Sequence, residues 1–332
     1  MTFLSMTRRK LLLGTAVTLA APAILTRTSL AQSAEPDMSM DDDAMAPPPQ
    51  LKSFKIGNFS VTVIRDGKVV GEKPHETFGT NQKPEDVAAL LETNLLPSDK
   101  FINSFAPTLI DTGSEVILFD TGLGEGARQM GNGRLLSSLM AAGYDADQVT
   151  AVVLTHMHGD HIGGLMEGGQ PAFKNARYFA GQVEFDFWKD PAREGTPAEG
   201  NHKMVLRNVV PLAEKITFIK GGSTVIPGVT AIEAFGHTPG HLIFTVESEG
   251  RRLVVTGDTA NHYVLSLQRP DWEVRFDMDK AQAAATRKKV FDMIAADRVP
   301  FVGYHMPFPA VGYVEKFEQG YRFIPETYQL EL

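Results

Sequence analysis

Ala151-Val152-Val153-Leu154-Thr155-His156-Met157-His158-Gly159-Asp160-His161 places three histidines and an aspartate within six residues, directly behind an apolar run. Ala151–Thr155 reads as a buried strand, and the cluster begins where the strand stops. His156 and His158 stand two apart at a strand end, so both rings point to one side. Gly159 lets the chain turn. Asp160 and His161 then open a helix and face the same pocket. Side chains of these types at this spacing supply much of two metal coordination spheres. A surface histidine cluster is the bland alternative.

Two further segments fit the first. In Gly236-His237-Thr238-Pro239-Gly240-His241 the two histidines have helical i, i+4 spacing, but Pro239-Gly240 rules a helix out. The turn therefore presents one direct ligand. In Val254-Val255-Thr256-Gly257-Asp258 an apolar strand delivers a carboxylate at its tip, where sites on sheets form and where one group can bridge two cations. A turn-capping role would explain Asp258 in isolation.

Strand-like and helix-like stretches alternate around these segments. Ser60–Arg65 alternates apolar with polar, and Asp66-Gly67 predicts a hairpin turn after it. Strands are expected at Glu115–Phe119, Ile216–Ile219, Val229–Ala234, Leu242–Glu247, Leu253–Thr256 and Phe301–Gly303. Helices are expected at Pro84–Asn94, Leu135–Ala142, Val183–Lys189, Lys203–Lys215 and Lys280–Ala296. Two apolar strands each lead to an aspartate, Phe119-Asp120 and Gly257-Asp258, which suggests two similar halves. The layer rules then predict one α/β domain, an αβ/βα sandwich of two mixed sheets flanked by helices.

Composition narrows the chemistry. The chain has 332 residues, no cysteine and a net charge of −8. Thiolate ligands, disulfides and a cysteine nucleophile are excluded. Residues 1–31 hold Arg8, Arg9, Lys10 and Arg27 and no acid; without them 28 basic residues face 40 acidic ones. So acidic a chain repels phosphate backbones, and no nucleic-acid partner is expected. Arg8-Arg9-Lys10, the apolar run Leu11–Leu25 and Ser29-Leu30-Ala31 read together as a signal peptide of twin-arginine type over residues 1–31. An ordinary secretory signal or an uncleaved anchor stays open. The apolar run is short for a membrane span, so no stable anchor is expected after processing and a periplasmic or secreted location is. Residues 32–50, with Asp41-Asp42-Asp43 and Pro47-Pro48-Pro49, read as an acidic, proline-rich disordered linker. The folded domain is expected over 51–332.

His-x-His-x-Asp-His, the Gly-His-Thr-Pro-Gly-His turn, the strand-end Thr-Gly-Asp and a late strand-end histidine in Gly303-Tyr304-His305 together resemble the metallo-β-lactamase superfamily of hydrolases. The resemblance covers nearly all of 51–332. It implies that His156, His158 and His237 hold one divalent metal, that Asp160, His161 and His305 hold a second, and that Asp258 bridges them. It further implies that Asp120 orients the loop or a ligand and that His241 stands behind the ligands rather than among them. From the residues alone His305 is a lone histidine among prolines, and the resemblance raises it to a ligand. His75 and His202 carry no ligand pattern. Zinc is the first choice of metal, with manganese, cobalt and iron open.

Five neutral histidines and two aspartates leave such a centre with net positive charge. The expected chemistry is attack by a hydroxide shared between the metals on a carbonyl carbon or a phosphorus, with Asp160 and Asp258 as the catalytic carboxylates and Asp160 helping to move the proton. Tyr263 is a candidate donor to the developing oxyanion, as is His262, because both follow Asp258 closely. Trp188 in Asp186-Phe187-Trp188 is a candidate for the pocket wall, with helix packing as its other reading.

Among branches of the superfamily, those with a thiolate ligand need a cysteine. The flavin-linked oxygen reductases have Glu where His158 stands, and the nucleases carry basic surfaces. The remaining resemblance is to the branch of methyl parathion hydrolase and its lactonase relatives, shared over His161-Ile162-Gly163-Gly164-Leu165 and Gly320-Tyr321-Arg322-Phe323-Ile324-Pro325. The polar, Gly-rich Leu123–Asn132 departs from a phosphotriesterase leaving-group pocket. A lactone, with an acyl-homoserine lactone as the example, is therefore the first-choice small-molecule substrate, with promiscuous phosphotriester hydrolysis beside it. A phosphotriesterase and a mononuclear iron persulfide dioxygenase are the alternatives. A homodimer stays open.

Overall fold

The computed structural model describes residues 48–327. The signal-peptide reading of 1–31 and nearly all of the linker reading of 32–50 lie outside the described residues. Two seven-stranded mixed sheets frame the fold. The first runs β1 (Leu51–Ile56), β2 (Phe59–Ile64), β5 (Thr108–Asp111), β6 (Val116–Phe119), β7 (Ala151–Val153), β10 (Arg177–Gly181) and β11 (Ile216–Ile219) from edge to edge. The second runs β12 (Thr224–Ile226), β13 (Val229–Glu233), β14 (Leu242–Ser248), β15 (Arg251–Val255), β16 (Phe301–Val302), β17 (Val311–Phe317) and β18 (Gly320–Pro325). An antiparallel pair of β3 (Gly67–Glu72) and β4 (Lys100–Phe105), joined through the helix Pro84–Thr93, stands apart from both, as does the short pair β8 (Met166–Glu167) and β9 (Gln170–Pro171).

Side-chain alternation makes the sandwich. Ile117 and Phe119 of β6 and Ala151 and Val153 of β7 enter the core between the sheets, where they meet Val229, Ile243 and Val254 of the second sheet. Their neighbours Leu118, Val152 and Leu154 face the other way and pack on Leu135 and Leu139 of α2 (Leu135–Ala141), Phe185 of α4 (Gln182–Lys189) and Val205 of α5 (Glu199–Asn208). A strand buried on both faces must be apolar throughout, which is why β6 and β7 read as unbroken hydrophobic runs. Val290, Phe291 and Ile294 of α7 (Lys280–Asp297) join the core from the second sheet's side. Asp279 caps α7 by accepting from the Gln282 amide at 2.9 Å. The αβ/βα sandwich expected from the sequence is the fold present.

Two local expectations are corrected. Asp66-Gly67 does not close a hairpin: β2 pairs with β1 and β5, and β3 pairs with β4. Asp66 is instead buried, its carboxylate accepting from the Leu123 amide at 2.9 Å and the Leu135 amide at 2.8 Å. The hairpin is Gly57-Asn58 between β1 and β2, with Gly57 at φ 55°. Lys203–Lys215 is not one helix. The α-helix ends at Asn208, and Val210–Lys215 continues as a 3-10 turn because Pro211 lacks the amide an α-helix needs.

Candidate metal centre

The strand ends deliver the site. β6 runs into Asp120, β7 into His156, β15 into Asp258 and β16 into His305, all at carboxyl ends of strands. Between His156 and His158, Met157 is fully buried, and its insertion into the core throws both rings to the opposite side. α3 (Gly159–Ile162) then turns Asp160 and His161 inward.

Two groups of donor atoms result, each within 4.8 Å of one another: His156, His158, His237 and Asp258, and Asp160, His161 and His305. Asp258 joins them. Its Oδ1 is 3.2 Å from His161 Nε2, while its Oδ2 is 3.3 Å from His237 Nε2 and 3.0 Å from His305 Nε2. Asp160 Oδ2 lies 3.4 Å from His305 Nε2 and 3.6 Å from His161 Nε2. All seven residues expected as ligands come together.

The hydrogen bonds around the rings fix which nitrogen faces the centre. His161 Nδ1 donates to Asp120 Oδ2 at 2.8 Å, His237 Nδ1 to Asp277 Oδ1 at 3.0 Å and His305 Nδ1 to the Ser104 carbonyl at 2.8 Å. Thr155 Oγ1 gives its proton to Asp120 at 2.7 Å, so it accepts from His156 Nδ1 at 3.1 Å. With those protons assigned from the network, Nε2 of all four rings carries a bare lone pair. His158 Nδ1 sits 3.1 Å from His156 Nε2 and 3.0 Å from His237 Nε2. A proton on it could satisfy one neighbour and not both. His161 Nε2 and Asp258 Oδ1 are buried without any hydrogen-bond partner. Lone pairs packed this way repel unless a cation sits among them, so the donor set fits two metal ions.

Electrostatics agree. Burial holds His156 and His158 well below the usual 6.5, so both stay neutral. Burial also opposes charge on His161 and His305, but Asp258 and Asp160 outweigh it and pull both rings upward. Burial alone would raise Asp258; His305 and His161 instead hold it well below the usual carboxylate range. The carboxylates therefore call for positive charge at these rings, which protons or a metal can supply.

Asp120 orients the loop, as expected. It adopts φ 58° and also accepts from the Thr155 amide at 2.8 Å. His241 is no ligand, since Nδ1 donates to the Ala234 carbonyl at 3.1 Å and Nε2 accepts from the Asp258 amide at 3.0 Å. His202 is buried in packing, donating to the Trp188 carbonyl at 2.7 Å, and His75 lies in a 3-10 turn away from the cluster.

Trp188 is buried at 2% exposure and does not line the cleft. It meets His158 edge-on at 5.6 Å and donates to Glu184 Oε1 at 2.6 Å. His262 and Tyr263 sit at a second cavity, on the far side of the β3–β4 strand pair from the cleft over Asp258. Asn261 occupies the place sequence proximity suggested for them, donating to Asp258 Oδ2 at 3.0 Å.

Sequence reasoning missed three supports. Glu184 is fully buried and ties both histidine loops, accepting from the Met157 amide and the Gly240 amide at 2.9 Å each. Gly240 is obligatory there, because a Cβ would lie 2.2 Å from the Glu184 amide nitrogen. Asp277 holds His237 and is itself held by buried Arg287, whose Nη2 donates to Oδ2 at 2.7 Å. Tyr304 stacks on His161 at 3.8 Å and donates to the Asp160 carbonyl at 2.6 Å. The signal for Glu184 and Arg287 was positional: Glu184 stands four residues before buried Trp188, and Arg287 at helical spacing between buried Ala283 and buried Val290, Phe291 and Ile294.

The centre opens on a cleft of about 1110 Å³. His158, Asp160, His237, Asp258 and His305 form its floor, and Phe101, Phe105, Met130, Met204 and Phe276 lie among its walls.

Residues 107–300 match the model of the metallo-beta-lactamase superfamily, and the chain belongs to that superfamily. It is a metal-dependent hydrolase with a His/Asp site for two divalent ions. Among solved structures it resembles AidC, a dizinc quorum-quenching lactonase in complex with a product, at 26% identity and TM-score 0.76, covering 84% of this chain and 98% of that one. It resembles the hydrolase AbOPH of the beta lactamase superfamily equally, at 25% identity, TM-score 0.76 and the same coverage. An N-acyl homoserine lactonase of Bacillus cereus is 25% identical over 231 residues, spanning 66% of this chain and 81% of that protein.

Proposed function

We propose that this chain hydrolyses lactones, N-acyl homoserine lactones first, with zinc held by His156, His158 and His237 at one position, by Asp160, His161 and His305 at the other, and by Asp258 between them. The observation that carries this reading is the shared Asp258 carboxylate on the floor of a large, largely apolar cleft. The lactonase relatives support the substrate class. Two divalent cations in such a site lower the pKa of water toward neutrality and polarise a carbonyl oxygen.

The protein's own groups do the rest. Buried Asn261 and the His241-held amide of Asp258 fix that carboxylate, while Asp120, Asp277 and the Ser104 carbonyl fix the tautomers of His161, His237 and His305. Asp160 is the carboxylate at the site with solvent access, its side chain 23% exposed against 4% for Asp258. Its Oδ2 takes the proton released as water attacks the carbonyl carbon and returns it to the ring oxygen as the acyl C–O bond breaks, giving an N-acyl homoserine. Phe101, Phe105, Met130, Met204 and Phe276 offer an apolar bed for an acyl chain, and Met side chains adapt to chains of different length. An oxyanion role for Tyr263 or His262 is not carried further, given where they stand.

The test compares initial rates of the zinc-loaded protein on an N-acyl homoserine lactone, an aryl lactone and a methyl phosphotriester, with Asp258→Ala as control and metal content measured. Preference for the homoserine lactone by orders of magnitude, with two zinc ions per chain and an inactive variant, is the expected result. A phosphotriester in first place, or one iron per chain with thiol-oxidising activity, would overturn the substrate reading.

A further inference from the structure

The β3–β4 strand pair is a wall with two faces. Val69, Gly71 and Asn103 face the metal cleft; Lys68, Val70, Ile102 and Ser104 face a separate cavity of about 640 Å³. The period-2 alternation of paired strands produces this division: Val69 pairs with Asn103 on one face and Val70 with Ile102 on the other. Phe101 and His305 border both spaces.

The second cavity has the size of a small-molecule site. Apolar surface comes from Val70, Leu91, Leu96, Ile102 and Phe308, among others. Three cations also line it, Arg65, Lys68 and Lys100, and no carboxylate does. Among the described residues none of the three has an ion-pair partner within 4.0 Å, although the chain as a whole is acidic. Arg65 is three-sided in its setting: half-buried, stacked over Phe308 at 5.9 Å and facing the repulsion of Arg134. His262 adds a directed donor. Its ring is 7% exposed, and Nδ1 accepts from the Val264 and Leu265 amides at 3.1 Å each. The proton therefore sits on Nε2, which has no partner among the described residues, and burial lowers this histidine to about 4, so it donates as a neutral ring. Unpaired cations, an unpaired donor open to the cavity and apolar walls share one complement.

We infer that this cavity binds an amphiphilic monocarboxylate, its head between Arg65 and Lys68, with His262 as a donor in the same cavity, and its aliphatic tail running over Val70 and Ile102 toward Leu91, Leu96 and the far end of the strand pair at Lys100. The site does not depend on the substrate assigned to the metal cleft. Two sources share the chemistry: a free fatty acid, and a ring-opened acyl amino acid of the kind lactone hydrolysis would make. A carboxylate seated there lies behind His305, whose Nδ1–H is held by the Ser104 carbonyl, and Ser104 itself lines the cavity. His305 and Phe101 are thus the side chains shared by this cavity and the metal cleft.

The experiment is calorimetric titration of the zinc-loaded full chain with decanoate, N-decanoyl homoserine and decyltrimethylammonium. Because a carboxylate can also reach the metals, matched variants locate the binding. Val70→Asp and Val69→Asp alter adjacent exposed residues, 59% and 45% exposed, on opposite faces of β3. Val70→Asp is expected to weaken carboxylate binding by about tenfold or more and Val69→Asp by less than about twofold. Lys68→Glu is expected to match Val70→Asp, and the ammonium probe is expected not to bind. Binding of decanoate alone names a fatty acid as the source, and stronger binding of N-decanoyl homoserine names the ring-opened product. Equal binding of the ammonium probe, a loss that follows Val69→Asp instead, or no carboxylate binding beyond a metal-competitive site would overturn the inference.

Discussion

Glu184→Gln probes the device that holds the two histidine loops together. The carboxyl accepts three donors, the Met157 amide at 2.9 Å and Trp188 Nε1 at 2.6 Å on Oε1, and the Gly240 amide at 2.9 Å on Oε2. Glutamine keeps one oxygen. If that oxygen stays with Met157 and Trp188, the side-chain NH₂ meets the Gly240 N–H, donor against donor in a fully buried place. An unsatisfied buried amide costs about 1–3 kcal/mol. At roughly 2–4 °C per kcal/mol for a domain near this size, the metal-free protein should melt about 2–12 °C lower. Metal affinity should fall about 10–100-fold, because Met157 lies between His156 and His158 and Gly240 follows His237 by three residues. The pH dependence gives a second reading. Burial raises the Glu184 carboxyl above 4.5, so ionising it costs more in the folded chain than in the unfolded one. Stability from this group is complete below about pH 4.5 and declines as pH rises through the raised value. Glutamine has no such titration, so the gap between wild type and variant should narrow from pH 4.5 upward. Calorimetric melts of the chelated protein and competition against a chromophoric chelator measure both effects. A melting point within about a degree of wild type together with unchanged metal affinity would refute the idea that this carboxyl holds the loops.

Asp277→Asn should destabilise by about 3–5 kcal/mol, since it leaves Arg287 charged and unpaired in the core, and Asp277→Asn with Arg287→Met should recover part of that loss in denaturant melts. Asp120→Asn keeps the φ 58° backbone that asparagine tolerates, but when its oxygen stays with the Thr155 amide its NH₂ faces His161 Nδ1. That contact pushes the proton to Nε2, so metal titration should show one of two sites weakened about 10–100-fold and the other nearly unchanged.

What the sequence made legible depended on how far apart the cooperating residues lie. His156, His158, Asp160 and His161 fall within six positions, so strand period and a glycine turn sufficed to bring them together. Asp66-Gly67 does not turn the chain as expected because the same dipeptide that closes a hairpin can bury its carboxylate against a loop amide and the first amide of a helix, and only those distant partners, Leu123 and Leu135, decide which. Tyr263 and His262 were misplaced for a related reason. They follow Asp258 by five and four residues, yet Asn261 takes the position against its carboxylate, and His262 is turned away by accepting the amides of Val264 and Leu265. Glu184 and Arg287 differ again. A charge in an apolar stripe costs several kcal/mol unless paired, so each marked a partner that sequence distance hid. Glu184 meets loops 27 and 56 residues away, and Arg287 meets Asp277, which faces a histidine 40 residues earlier. The ligands of this centre were therefore readable from local spacing, whereas the groups that fix their lone pairs were readable only as unexplained charges inside helices. Those charges are the places where a sequence with no further information says that something in the core needs holding.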